Sequence, residues 1–302
     1  MKNIKKILAA VLMIAVMFSI TGCNSSDYKK AAQMMADGYY AAASEMFKAL
    51  GDYKDSADQA KECDYQIARA AFDDGEYEKA IELFTSLGDY QDSADFISQA
   101  NDKIIAAKLI GNWVSNNIDI TDMFMSDINS VLGPDDAGEI MPYVDFGTVT
   151  IILTCRVANN GRFYLDGDDQ SLDTTADNVL AAFQVGFTKW VEDVYTELAA
   201  DNNMTLDELL ASCGADSLDA FFEMSNDASI EDFLATYFPK DLFIAIIDCV
   251  HSSGTYTVED GVVNLTSASG TETFILYDGE ADTITMDGDG LSDGDVVFHR
   301  AA

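Results

Sequence analysis

The chain has 302 residues, with 53 acidic side chains against 17 lysines and arginines and a formal charge of −36 at pH 7. Phosphate binding needs clustered Lys and Arg, so nucleic acid and anionic lipid headgroups are excluded as partners. Such charge on a polar chain would mean disorder, but 48% hydrophobic and 11% aromatic residues suffice to build folded cores.

In chain order, Lys2, Lys5 and Lys6 lead into residues 7–20, where Ser19 is the only residue that is not apolar. A cationic start, a short apolar core and small residues behind it predict a secretory signal over 1–22. The core is too short for a membrane span, which takes roughly 20 apolar residues. Ile20-Thr21-Gly22-Cys23 resembles the lipobox of bacterial lipoproteins, with isoleucine where leucine is commonest. That resemblance implies cleavage behind Gly22, a diacylglycerol thioether on Cys23, and residues 23–26 as a lipidated tether. Two acyl chains, at about 0.8 kcal/mol per buried methylene, anchor a protein stably. The expected location is therefore the extracytoplasmic face of the cell membrane, with the membrane itself as one partner.

Residues 28–58 repeat as 65–95 at an offset of 37. Tyr28, Ala31, Asp37, Gly38, Tyr40, Ala43, Glu45, Phe47 and Leu50 match Tyr65, Ala68, Asp74, Gly75, Tyr77, Ala80, Glu82, Phe84 and Leu87. Gly-Asp-Tyr-Lys-Asp-Ser-Ala-Asp at 51–58 then recurs at 88–95 with one change. A period of this length predicts stacked helix pairs. Ala43, Phe47 and Leu50 form an apolar stripe at i, i+4, i+7, and Gly38 breaks the chain between two helices. Asp55 or Ser56, like Asp92 or Ser93, is expected to cap the helix that follows. The run 74–84 resembles tetratricopeptide repeats, with a longer unit and no proline at the turn. The resemblance covers 27–107 and implies partner binding rather than catalysis; the same helices could equally serve as a stalk. Stacked pairs leave a face on which Tyr39, Tyr53 and Tyr90 could anchor an envelope protein or a glycan. Tyr39 has Glu76 at its equivalent place and is the one most free to bind.

From about residue 108 the period becomes two. Residues 148–157 alternate Val149, Ile151, Leu153, Cys155 and Val157 against polar neighbours, which predicts a half-buried strand. Asn159-Asn160-Gly161 turns into a second strand at 162–165. Further strands are predicted at 254–259, 262–267, 273–277, 283–287 and 296–300, with an opening strand around Trp113. About eight antiparallel strands close most readily as a barrel or a curled sheet. Gly111-Asn112-Trp113 with a late Arg300 resembles the lipocalin floor, where the tryptophan closes the barrel and a basic residue covers it.

Between the strand blocks, about 172–250, lies a predicted helical insertion. Its first helix, 176–200, places Val179, Phe183, Phe187, Trp190, Val194 and Leu198 on one face, and Thr205 with Glu208 makes a capping box for the next. The fold expected is thus α+β, an N-terminal helical hairpin repeat followed by an antiparallel barrel or curled sheet with a helical insertion over 108–302.

Catalytic grammar is sparse. His251 and His299 stand apart from any metal-ligand spacing, and the sequence neighbours Ser252 and Ser253 would need an acid brought in from elsewhere to act with His251. Cys63, Cys155, Cys213 and Cys249 show no C-x-x-C spacing, so buried free thiols are expected, with Cys213–Cys249 the one pairing inside a single helical segment. Residues 285–296 resemble a bacterial calcium loop through Asp287, Asp289, Asp293 and Asp295, but Thr285 and Val296 replace its terminal acids. The other reading of that stretch is a solvated hairpin. Calcium is the only cofactor indicated. The reading is a membrane-anchored lipoprotein acting as a non-catalytic binding or scaffolding module. The alternatives are an extracytoplasmic hydrolase, or a carrier holding a small ligand in a lipocalin-like cavity. A filled interior favours binding by the surface; a polar-lined cavity favours the carrier.

Overall fold

The computed structural model describes residues 24–248, 250–287 and 294–301. They divide into two compact units, the first ending at Lys108 and taking in Val258–Val262, the second comprising Leu109–Thr257 and the chain from Val263.

The first unit holds α1 (Asn24–Ala36), α2 (Tyr40–Leu50), α3 (Ser56–Asp73), α4 (Tyr77–Leu87) and α5 (Ser93–Leu109). The internal duplication is carried into the backbone. Gly38 and Gly75 both sit at φ 80°, and the amides after them, on Tyr39 and Glu76, donate to Met34 O (2.8 Å) and Ala71 O (2.9 Å). That left-handed glycine with a long-range amide bond is what stops a helix and reverses the chain. Ala43 and Phe47 are fully buried, as are Ala80 and Phe84, so each hairpin owns a small core. Phe96 stacks on Phe84 at 4.9 Å.

The helix starts differ from expectation. Asp55 precedes α3 without accepting a capping hydrogen bond, and Ser56 Oγ is turned back to donate to Tyr53 O at 2.6 Å. Ser93 repeats this on Tyr90 O. The carboxylates serve the turn instead: Asp55 accepts from Tyr28 Oη at 2.6 Å, and Asp92 accepts from Tyr65 Oη. A phenol one helix away outcompetes the local amides because it also lets the ring fill the core.

In the second unit, β1 (Gly111–Ser115), β4 (Leu153–Val157), β5 (Arg162–Gly167), β6 (Ser252–Glu259), β7 (Val262–Ser267), β8 (Glu272–Asp278), β9 (Thr283–Met286) and β10 (Val296–Arg300) close an antiparallel barrel. Its strand order is β1-β10-β9-β8-β7-β6-β5-β4. Cys155 faces Trp113 on one side and Leu165 on the other, so the buried row of each strand meets the buried row of its neighbour. At Gly254 a Cβ would lie 1.9 Å from Thr266 O, so only glycine lets β6 run this close to β7.

Between β1 and β4 the chain makes a detour. It pairs β2 (Ile118–Asp119) with β3 (Thr150–Ile151) and forms α6 (Thr121–Leu132) and α7 (Pro134–Ile140). The strand expected over 148–157 is therefore broken at Ile152, whose amide donates to Ser171 Oγ (2.9 Å) and whose carbonyl accepts from Asp168 N (2.8 Å).

The insertion opens with α8 (Asp169–Asp201), capped by Asp168 accepting from Ser171 N at 2.9 Å. It continues through α9 (Leu206–Cys213), α10 (Leu218–Asn226), α11 (Ile230–Tyr237) and α12 (Lys240–Ile247). Thr205 and Glu208 form the expected capping box. Phe183 and Phe187 are buried among Phe222, Phe233, Phe238 and Phe243. Val194 and Leu198, expected on that face, are 42% and 44% exposed; the buried stripe passes through Val191 and Ala199 instead. No helix among the described residues is long and apolar enough to cross a membrane.

Candidate functional site

One end of the barrel is sealed. Trp113 is fully buried and donates through Nε1 to Leu109 O at 2.9 Å, while the Arg300 guanidinium lies 4.2 Å over its ring. Asp282 holds that guanidinium through Nε (2.7 Å) and Nη2 (2.9 Å), which keeps it cationic, and Nη1 donates to Ile110 O. A Cβ on Gly111 would come 2.8 Å from Nη1, so glycine makes room for the arginine. Above this floor Phe163, Ile275, Ile284 and Phe298 fill the interior. Burial there pushes the Cys155 thiol up to about 12.

At the other end a recess of about 200 Å³ remains, with Phe163, Leu165, Leu265 and Met286 below and hydroxyls of Ser252, Ser267, Ser269, Thr271 and Thr273 around it. Sites for drug-sized ligands run to about 300–1,000 Å³, so this one takes a small group only. Ser269 Oγ lies 2.8 Å from Ser267 Oγ and 3.2 Å from Thr271 Oγ1, a chain of hydroxyls made by the β7–β8 turn.

Beside this rim stands a histidine clamp. His251 precedes β6, and its Nδ1 is 3.1 Å from Asp166 Oδ1 on β5 while Nε2 is 2.8 Å from Asp248 Oδ2, just past α12. These are the two places where the helical insertion leaves and rejoins the barrel. Carboxylates only accept, so both contacts are satisfied together in the imidazolium form, in which both ring nitrogens donate. Asp166 first, then Asp248, raises the His251 pKa above its ordinary value. In that protonated form the ring has no lone pair with which to take a proton from Ser252. Its arrangement fixes charge and position rather than activating a nucleophile.

The other sequence-derived positions are scattered. Tyr39 is 59% exposed, at the N-terminal end of α2. Tyr53 packs edge-on against Tyr28 at 6.0 Å, and Tyr90 donates to Glu62 at 2.9 Å while leaning on Tyr65, so both are tied into the repeat. Cys63 and Cys155 are buried free thiols; Cys213 is free and exposed, contrary to the expectation of burial, because α9 turns its C-terminal end to solvent. Its suggested partner, Cys249, lies outside the described residues, as does Cys23. Of the calcium candidates, Asp289 and Asp293 also lie outside them. Asp287 and Asp295 are exposed, and Asp295 lines a recess of about 270 Å³ with Asn116, Asn117 and Asp119. Among the described residues no three His, Cys, Asp or Glu side chains are placed to share a metal ion.

The acids of the clamp were missed from sequence because Asp166 is distant along the chain and meets His251 only through the β5–β6 pairing. The turn at 266–273 is rich in Ser and Thr, but its convergence on the mouth depends on closure of the barrel. Comparison with family models, with curated proteins and with solved structures finds no match to this chain.

Proposed function

We propose that this chain is an extracytoplasmic lipoprotein, held in the membrane by acyl chains on Cys23, that works by non-catalytic binding of another envelope component, protein or glycan. The observation that carries the reading is the packed barrel: among the described residues Trp113, Phe163, Ile284 and Phe298 are buried inside and the recess at the mouth measures about 200 Å³, which favours recognition by the surface. Arg300 stacked over Trp113 beside Gly111 supports a lipocalin-like barrel. Matching glycine turns 37 residues apart support tetratricopeptide-like hairpins, with exposed Tyr39 as their anchor.

Two measurements on the full chain test this. Radiolabelled palmitate supplied to the expressing cells should label the wild type and leave Cys23→Ala unlabelled; equal labelling of both would remove the anchor. Photo-crosslinking in intact envelopes from a probe at position 39 should give a discrete adduct that persists in detergent. A probe that yields only solvent-quenched product makes the repeats a stalk.

A further inference from the structure

Along β8 the outward row reads Glu272, Phe274, Leu276, Asp278, all exposed, while Thr273, Ile275 and Tyr277 turn inward. Phe274 is 60% and Leu276 70% exposed. An antiparallel strand with one wet face normally carries polar residues there; Asn264 stands opposite Phe274 on β7 and Thr285 opposite Leu276 on β9, while Val262, 40% exposed, adds an apolar group at the start of β7. The apolar pair is thus set in a neutral frame with a carboxylate at either end. From Asp241 to His299 the sequence holds no lysine or arginine, so β7, β8 and β9 together carry the acids Glu272 and Asp278 and no basic side chain. A second copy would bring the same sign, and phosphate-bearing surfaces likewise. Backbone pairing is closed off too, since β8 is already bonded on both edges.

We propose that the outer face of β8 docks a basic segment of a partner protein, with its apolar side chains on Phe274 and Leu276 and its cationic groups at Glu272 and Asp278. Six residues of strand put those carboxylates about 20 Å apart, which sets the spacing of the partner's Lys or Arg. Aromatic anchors ringed by polar groups are where interface energy concentrates, and the acids steer the approach. This rests on the binding reading only in taking binding as the chain's work; it uses no residue of the helical repeat.

The experiment uses the full chain and a fluorescent synthetic peptide with lysines six residues apart flanking Leu and Phe, beside a control with glutamates in place of the lysines. Anisotropy is followed at low salt and at about 0.5 M NaCl, where diffuse attraction to an acidic protein is screened. The wild type should bind the basic peptide under both conditions and ignore the acidic one. Phe274→Ser with Leu276→Ser should weaken binding about tenfold at both salt levels, with the far-UV spectrum and melting temperature unchanged. Glu272→Gln with Asp278→Asn should weaken it at low salt and leave the high-salt affinity nearly intact. Phe274→Leu should retain most of the affinity. Equal binding by the serine variant would reduce the effect to general acidity and overturn the proposal. So would a wild-type dimer that Phe274→Ser returns to monomer, which assigns the face to a second copy, or Phe274-dependent flotation with phosphatidylcholine vesicles, which assigns it to lipid. Failure here with the position-39 adduct intact removes only the β8 surface; the reverse removes only the repeat as a binding site.

Discussion

His251 is held between Asp166 and Asp248 at the rim of the barrel, and its proton is what makes that arrangement attractive. Losing it leaves one ring nitrogen presenting a lone pair to a carboxylate. A folded-state pKa raised by Asp166 and Asp248 stabilises the clamp fully below the unfolded value of about 6.5, and that contribution fades as pH rises through the folded value. An NMR titration should therefore place the His251 midpoint above about 6.5, and Asp166→Asn should lower it; a midpoint at or below 6.5 would dissolve the clamp. Thiol chemistry follows the same logic of environment. Burial pushes Cys63 up to about 11 and Cys155 up to about 12, whereas Cys213 is exposed. With the thiolate as the nucleophile, maleimide at pH 8 should label Cys213 in the native protein, and Cys63 and Cys155 only after unfolding, as peptide mapping would read. Fast native labelling of Cys155 would mean that the barrel wall opens.

At the scale of elements, Thr205→Ala should cost about 1 kcal/mol in a urea titration, because the Thr205 hydroxyl and the Glu208 carboxylate satisfy two amides at the start of α9. No change in midpoint would mean that α9 lies outside the cooperative unit. This helix start was readable in the sequence because its signal is local. So were the strands at 262–267 and 296–300, where a period of two runs between turn residues. The misreadings lie where a distant partner decides. Ser171 on α8 takes the Ile152 amide and splits a strand that looks continuous, and the seven-residue α7 gives too few turns for an apolar stripe, whereas α6 carries one at Phe124, Ile128 and Leu132 that went unread. Asp55 looks like a cap by composition, yet Tyr28 claims it across the hairpin. The Val194 and Leu198 miss has another origin: in the second half of the 33-residue α8 the buried stripe runs through Val191 and Ala199, one position on from Trp190 and Leu198 of the expected face.

At the scale of the whole molecule, fold class was legible and the candidate site was not. Alternation and turns survive in any register, so eight short strands indicate a barrel or a curled sheet, but closure and the meeting of Asp166 with His251 need the register itself. Charge is the property that composition does report fully. With 53 acids and 17 lysines and arginines, the folded chain repels itself, and pairs such as Lys240 with Asp173 (2.7 Å) and Asp177 (2.6 Å) relieve only a little of it. Screening should then stabilise. The Debye length falls from about 30 Å at 0.01 M salt to about 3 Å near 1 M, so repulsion between distant carboxylates fades before contacts such as Arg300 with Asp282 do. Acid acts in two directions. Protonating exposed carboxylates relieves repulsion, but Asp55, Asp119 and Glu208 have pKa values lowered by Tyr28, by Thr121 and by Thr205. Their contributions are present above the ordinary carboxylate pKa of about 4 and are lost as pH falls through the lowered values. Stability should therefore rise as pH drops from 8 toward about 6.5, where His251 takes up its proton, and fall below about 4 as these three carboxylates are protonated. At pH 8, raising NaCl from about 0.01 M to 0.5 M should lift the melting temperature by about 2–4 °C for each kcal/mol of repulsion removed. Calorimetry that finds melting temperatures flat or falling with salt would show that the acidic surface is offset locally, by pairing, rather than tolerated as a general repulsion.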